Sequence, residues 1–260
     1  MRRAKPGRRA NGRIELIGLR TIPEVNPGDD VAHLVWDAVQ REGARIEPGD
    51  ILVVAQKVFS KAEGQIVRLR EVSPSALART WARTLRADPR FIEVVLRESR
   101  RIIRMSERVM IVETRHGFVC ANAGVDRSNL RDRGTVTCLP LDPDRSAREF
   151  ASRMKKLSGA RVAAIISDTF GRPWRLGLVN VAIGAAGFEV LEDLRGEHDA
   201  SGHTLQATIL AVADELASAA GLVMKKAAQV PAVIIRGAKV QAGKGVARKL
   251  IRPPAEDMFR

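Results

Sequence analysis

Tyrosine is absent from this 260-residue chain, aromatic residues make up 4% of it, and cysteine occurs only twice. Each shortage removes a class of protein. A membrane helix needs about 20 consecutive apolar residues, and neither such a run nor the apolar stretch of a secretory signal is present, so a cytoplasmic protein is expected. Cys120 and Cys138 stand at a spacing that fits no zinc-ligand pair, with no histidine cluster beside them. Two free, buried thiols are the expectation. The scarcity of aromatics, with no RNP-like run, leaves little for bases to stack on. The familiar phosphate-binding loops are missing as well: Ala242-Gly243-Lys244-Gly245 lacks the spacing of GxxxxGK[ST], and no GxGxxG follows a strand. Any nucleotide site must be built from other parts.

What is present is a 45% apolar content, ample for a buried core, and a formal charge of +14. Much of the charge is local. Residues 1 to 13 hold Arg2, Arg3, Lys5, Arg8, Arg9 and Arg13 with no acid, which reads as a disordered basic tail and leaves about +8 for residues 14 to 260. That remainder, one domain with room for two lobes, suits a phosphate-rich, carboxylate-bearing substrate as well as it suits RNA. A basic nucleic-acid-binding module stays open as a competing reading, but nucleic acid is not the expected partner.

Ile14 to Leu19 reads as a strand, and Pro27-Gly28-Asp29-Asp30 as a turn capping a helix that carries Val31, Leu34, Val35, Ala38 and Val39 on one face. Ile51 to Ala55 reads as a buried strand. Ser73-Pro74 is expected to open helical sequence running to about Arg100, broken near Asp88-Pro89. Val109 to Glu113 and Phe118 to Ala121 form an expected hairpin. A loop at Leu141 to Ser146 leads into a helix and then a strand at Val162 to Ile166. Thr204 to Ala220 has a helical stripe, and Val233 to Ile235 is the last core strand. Without a regular βαβ rhythm, the expected class is α+β, an irregular mixed-sheet fold.

Three segments carry polar residues where apolar strands end. Gln56-Lys57-Val58-Phe59-Ser60-Lys61-Ala62-Glu63-Gly64 follows the second strand, and its lysines, four apart, can bind phosphate oxygens; a solvated helix start is the plainer alternative. Ala123-Gly124-Val125-Asp126-Arg127-Ser128-Asn129 offers small residues with Asp126 and Asn129 as oxygen donors, or is an Asx-rich turn. Ser167-Asp168-Thr169-Phe170-Gly171-Arg172-Pro173-Trp174-Arg175 places a carboxylate and two hydroxyls at a strand end, with Arg172 and Arg175 as candidate phosphate or carboxylate clamps. Asp126 and Asp168 suggest a carboxylate pair for Mg²⁺ or Mn²⁺; sequence alone does not bring them together.

At these three segments, and again at Val181-Ala182-Ile183-Gly184, Ala213-Asp214-Glu215-Leu216-Ala217 and Pro231 to Gly237, the chain resembles the coenzyme F420:L-glutamate ligases. The resemblance implies an intertwined homodimer and GTP-dependent addition of L-glutamate to the carboxylate of the deazaflavin precursor F420-0. The same chemistry on another phosphorylated or pterin-like carboxylate is the alternative. It further implies that Asp126, Asp168 and Thr169 bind two divalent cations, Mg²⁺ or Mn²⁺, with K⁺ a further candidate. Asp126, Asp168, Arg172 and Arg175 become the expected catalytic residues. GTP is expected on Gln56, Lys57, Lys61 and Asn129, with Ile22, Pro23, Glu24 and Val25 closing over it. Met224, Lys225, Lys226 and Gln229 are expected to border the nucleotide, although relatives carry a glycine in that loop and this chain does not. The chain resembles the form without the flavin reductase domain that some bacterial relatives carry at the C-terminus.

Overall fold

The computed structural model describes residues 12–107, 109–127, 134–225 and 228–258. In chain order its elements are β1 (Glu15–Leu19), α1 (Val31–Arg41), β2 (Ile51–Ala55), α2 (Gln56–Ala62), β3 (Ile66–Arg68), α3 (Ala76–Leu85), α4 (Pro89–Arg97), β4 (Ser99–Met105), β5 (Met110–Thr114), β6 (Val119–Ala121) and β7 (Thr135–Thr137). They continue as α5 (Pro143–Ser158), β8 (Ala163–Arg172), β9 (Arg175–Ala186), β10 (Glu192–Asp193), β11 (Ile209–Leu210), α6 (Val212–Met224) and β12 (Ala232–Arg236). The expected tail falls mostly on residues 1–11, outside the described ones.

The frame is a five-stranded mixed sheet in the order β1-β12-β2-β8-β9, parallel only between β2 and β8. Its central strands are continuous apolar runs because both faces are covered. Leu52, Val54, Ala164, Ile166, Ala232 and Ile234 pack on one side with α1 and α5, while Ile51, Val53, Ile165, Val233 and Ile235 pack on the other with α6. A third apolar cluster joins α3 and α4 to the β4-β5-β6 sheet. The fold is therefore α+β with mixed sheets, as the sequence indicates.

Local signals explain most boundaries. Asp30 caps α1, its carboxylate accepting from the amides of Ala32 and His33. Asp88 caps α4 with Pro89 in the first turn. Three boundaries differ from the sequence reading. Helix α3 is capped by Ser75, not Ser73; the Glu93 carboxylate of α4 accepts the Ser75 amide at 2.8 Å and sets the entry point. Residues 204 to 211 are not helical, and α6 begins at Val212. Asp199 accepts the amides of Ser201 and His203, turning the chain so that Ile209–Leu210 pairs with Glu192–Asp193. Finally, β4 replaces the end of the expected helix at Arg100, forming a third strand beside the expected hairpin of β5 and β6.

Two tertiary locks hold the frame. Gly184 of β9 lies against the start of α5, where any Cβ would collide with the Pro143 carbonyl oxygen, and Asp144 accepts the amides of Ala185 (2.9 Å) and Ala247 (2.7 Å). At the opposite end, Arg236 closes β12 onto Asp50, at 3.0 Å through Nε and 2.7 Å through its terminal nitrogen. That arginine also donates to the Arg45 carbonyl and pairs with Glu47.

Candidate functional site

The parallel pairing of β2 with β8 stops at Ala55 opposite Ser167. There α2 leaves the sheet with Gln56, while β8 runs on to Arg172, paired only with β9. The sequence reading ended this strand at Ser-Asp-Thr. What ends there is its pairing with β2, and the consequence for the site is the same: the flank of β8 from Asp168 onward is left without β2 as a partner. Ligand crevices of α/β sheets commonly form beyond the carboxyl ends of parallel strands.

Successive strand side chains face opposite sides, which separates Asp168 from Thr169. Asp168 lies on the α1/α5 side near β6, since burial first and then the Asp168 charge push the Cys120 thiol up to about 12. Cys138, also buried, is pushed up to about 12 by burial, so both thiols are free and unreactive. Thr169 lies on the α6 side. Its hydroxyl donates to Asn180 Oδ1 at 3.1 Å, across the strand pair.

The α2 lysines, one helical turn apart, each meet a carboxylate. Lys57 Nζ lies 2.6 Å from Asp126, and Lys61 Nζ lies 2.7 Å from Glu24. Lys61 is 8% exposed, so its ammonium is largely withdrawn from water. Gln56, at the first position of α2 and 1% exposed, accepts the Ser60 hydroxyl at 2.6 Å through Oε1, while its Nε2 meets no acceptor among the described residues. A buried donor left unpaired costs about 1–3 kcal/mol, which a ligand oxygen would recover.

Asp126 is delivered by the tight turn Asn122–Gly124, where Asn122 and Ala123 take positive φ, and is held by reciprocal backbone bonds with Thr137 of β7. The Lys57 contact brings it to the start of α2, where the β2–β8 pairing stops one residue before Asp168. Asn129 lies outside the described residues. The segment holding Ile22, Pro23, Glu24 and Val25 packs along the other end of α2, through the Glu24–Lys61 pair and the Gly28 amide on the Ala62 carbonyl. A cleft of about 720 Å³ opens there, lined by Glu24, Val25, Asn26, Lys61, Arg68 and Arg97 among others, within the usual size range of small-molecule sites.

On the α6 side, the Met224 sulfur accepts from Ser167 Oγ (3.9 Å) and Asn180 Nδ2 (3.5 Å). Lys225 and Gln229 adopt φ of 37° and 52°, conformations that glycine takes without strain. Lys226 lies outside the described residues. The loop returns at Pro231, whose carbonyl accepts the Ala55 amide at 2.8 Å, next to Gln56.

Arg172 and Arg175 do not join this cluster within the chain. They flank the two-residue turn at the far tip of the β8–β9 ribbon, and Arg172 donates to the Leu176 carbonyl. At about 3.3 Å per residue, Arg172 lies roughly 13 Å along the strand from Asp168. Around them Trp174, Leu176 and Leu178 are exposed, Leu176 at 99%.

The donor set suits a hard divalent cation only in part by itself. Among the described residues no group of three or more His, Cys, Asp or Glu side chains comes together. Asp126 and Asp168 are oxygen donors, and Mg²⁺ is commonly held by one or two carboxylates completed by substrate phosphates and water; Thr169 faces the other side of β8. No described helix is long and apolar enough to cross a membrane. Sequence reasoning missed Asn180, whose significance depends on lying opposite Thr169, a register no motif displays.

A family model described as F420-0:Gamma-glutamyl ligase matches residues 18–237. The coenzyme F420:L-glutamate ligase of Methanothermobacter thermautotrophicus is 47% identical over 95% of this chain and 99% of its own length. That of Methanopyrus kandleri is 49% identical over 95% of this chain and 97% of its own. The Methanocaldococcus jannaschii protein of the same name is 46% identical over 83% of this chain and 86% of its own.

Proposed function

Because the chain belongs to the F420-0:gamma-glutamyl ligase family, we propose that it joins L-glutamate to the carboxylate of the deazaflavin precursor F420-0, using GTP. The observation that carries the reading is the Lys57–Asp126 pair at the start of α2, where the pairing of β2 with β8 ends one residue before Asp168. Phosphoryl transfer needs little more than such positioning and charge.

Lys57 and Lys61 donate to the phosphate oxygens of GTP, Gln56 Nε2, which meets no acceptor among the described residues, donates to another, and the segment from Ile22 to Val25 closes against α2. Asp126, Asp168 and Thr169 would hold the divalent cations, which supply charge neutralisation at the phosphates when bound. The acceptor carboxylate oxygen attacks the γ-phosphorus, releasing GDP and giving an acyl phosphate. The glutamate α-amine then attacks the acyl carbon, its proton is lost, the amide bond forms and inorganic phosphate leaves.

We also propose that the protein is a homodimer built through the β8–β9 ribbon. An exposed Trp174, Leu176 and Leu178 on one projecting ribbon is the kind of apolar patch that marks an interface. Sedimentation velocity should give twice the chain mass, and Leu176→Asp should shift it to monomer; a monomeric wild type would end this part of the reading.

The direct test is mass spectrometry of F420-0 incubated with the protein, L-glutamate, Mn²⁺ or Mg²⁺, and GTP. A gain of one or more glutamyl units that depends on GTP, with GDP released, is the expected result. No gain from folded, metal-supplied protein would overturn the acceptor assignment.

A further inference from the structure

We infer that Asp214 and Ser218 of α6 are positioning residues that hold β9 beside Asp168 and so fix where that carboxylate points. The register of β8 with β9 jumps from Ile166 opposite Gly184 to Ser167 opposite Ala182, which leaves Ile183 as the extra residue of a β-bulge. Bulges bend a strand, increase its twist and re-aim side chains, and they are over-represented beside active sites. This one lies level with the last β2–β8 pair, Ala55 opposite Ser167. Beyond it β8 is paired with β9 alone, and the cross-strand partner of Asp168 is Val181. The direction of Asp168 therefore depends on how firmly β9 is held at Val181.

Helix α6 grips β9 on both sides of that residue. Asp214 accepts the Ala182 amide at 2.8 Å, and Ser218 Oγ donates to the Asn180 carbonyl at 2.8 Å. The two helix positions are four residues apart, about 6 Å along an α-helix, and the two strand positions are two residues apart, about 6.6 Å along a strand. One turn of α6 thus matches the two backbone groups that bracket Val181. Close packing keeps the elements together, since a Cβ on Gly221 of α6 would sit 3.1 Å from Asn180 Cγ. β9 is an edge strand, and from α5 on the opposite face Asp144 takes the Ala185 amide at 2.9 Å, so the bulge is pinned from both faces of the sheet. Asp214 stands in the first turn of α6, where the helix dipole favours a carboxylate, while burial raises its carboxyl above the ordinary range against the pull of the Ala182 amide.

This inference rests on Asp168 acting in the reaction, as proposed above, and single and double variants separate the two claims. The full chain is assayed for GTP-dependent glutamate addition to F420-0 per folded molecule, with hydrogen exchange over Val179 to Ile183 as a readout independent of activity. Asp214→Ala should lower kcat by about 10- to 100-fold, the scale on which a displacement of about 1 Å costs rate, and should speed exchange in that segment. Asp214→Asn keeps an oxygen acceptor for the Ala182 amide and should recover most of the rate. Added to Asp168→Ala, Asp214→Ala should lower the rate little further, because residues that act through one another are not additive. Ser218→Ala removes only one of the two grips and should show a smaller loss in the same direction; it also tests the idea should Asp214→Ala fail to fold. Wild-type kcat in both Asp214→Ala and Ser218→Ala, or losses that multiply with that of Asp168→Ala, would overturn the positioning role while leaving Asp168 in the reaction. Absence of addition by the wild type, or wild-type kcat in Asp168→Ala, would overturn the proposed reaction or the place of Asp168 in it, and this inference with it.

Discussion

Asp168→Ala is expected to lower GTP-dependent glutamate addition by about 10³-fold or more, a loss of roughly 4 kcal/mol of transition-state stabilisation. The magnitude comes from the phosphate charge that a cation held by this carboxylate would neutralise. Among the described residues no group of three or more His, Cys, Asp or Glu side chains comes together, so no neighbouring cluster stands ready to replace it beyond the end of the β2–β8 pair. The fold itself should be little affected, because Asp168 is partly exposed and lies beyond the two-sided core of β8. Initial rates of GDP release and the mass of the deazaflavin product give the measurement, with thermal melting as the control. A folded variant keeping more than about a tenth of wild-type activity would remove Asp168 from the machinery, since losing a group that acts on the transition state costs more than that.

The largest expected effect on stability lies at the other end of the sheet. Arg236→Ala leaves Asp50, 2% exposed, holding a buried charge with only the Glu47 amide and its own surroundings to solvate it. Breaking a buried pair by removing one partner typically costs about 3–5 kcal/mol. For a chain of this size that corresponds to a fall of about 10 °C in melting temperature. Replacing both partners by apolar residues, as in Asp50→Leu with Arg236→Met, should recover much of the loss, because no uncompensated charge remains. Calorimetry or circular dichroism on the single and double variants checks this. A double variant as unstable as Arg236→Ala would mean that the Arg45 carbonyl and Glu47 contacts of the guanidinium, rather than the orphaned Asp50, set the cost.

Helices with an Asx or Ser cap and a clear apolar stripe were legible in the chain, α1 and α4 among them, because cap and stripe act within one or two turns. The boundary of α6 was not. Its apolar stripe extends back through Ile209 and Leu205, but Asp199 captures nearby amides and the pairing with β10 takes Ile209–Leu210. A local helical preference yields here to a side-chain turn and a strand partner. For the site, the polar segments at Gln56–Lys61, Asp126 and Asp168 stood out because each follows an apolar run. The Lys57–Asp126 pair did not, nor did the displacement of Arg172 and Arg175 to a ribbon tip, since a Pro-Trp turn looks the same in sequence whether the strand before it is short or long.

The sequence by itself determined the family, the α+β class, the core strands and the residue types that a phosphate and cation site requires, because those are properties of composition and short-range pattern. The tertiary structure alone decided which carboxylate each lysine meets, that Asp168 and Thr169 face opposite sides of one strand, and that Asn180 stands across from Thr169. Those relations are set by strand register and by packing between distant elements, as with Asp50 and Arg236, 186 residues apart. A one-residue change of register would exchange every face, and nothing in a single segment fixes which register its distant partner will take.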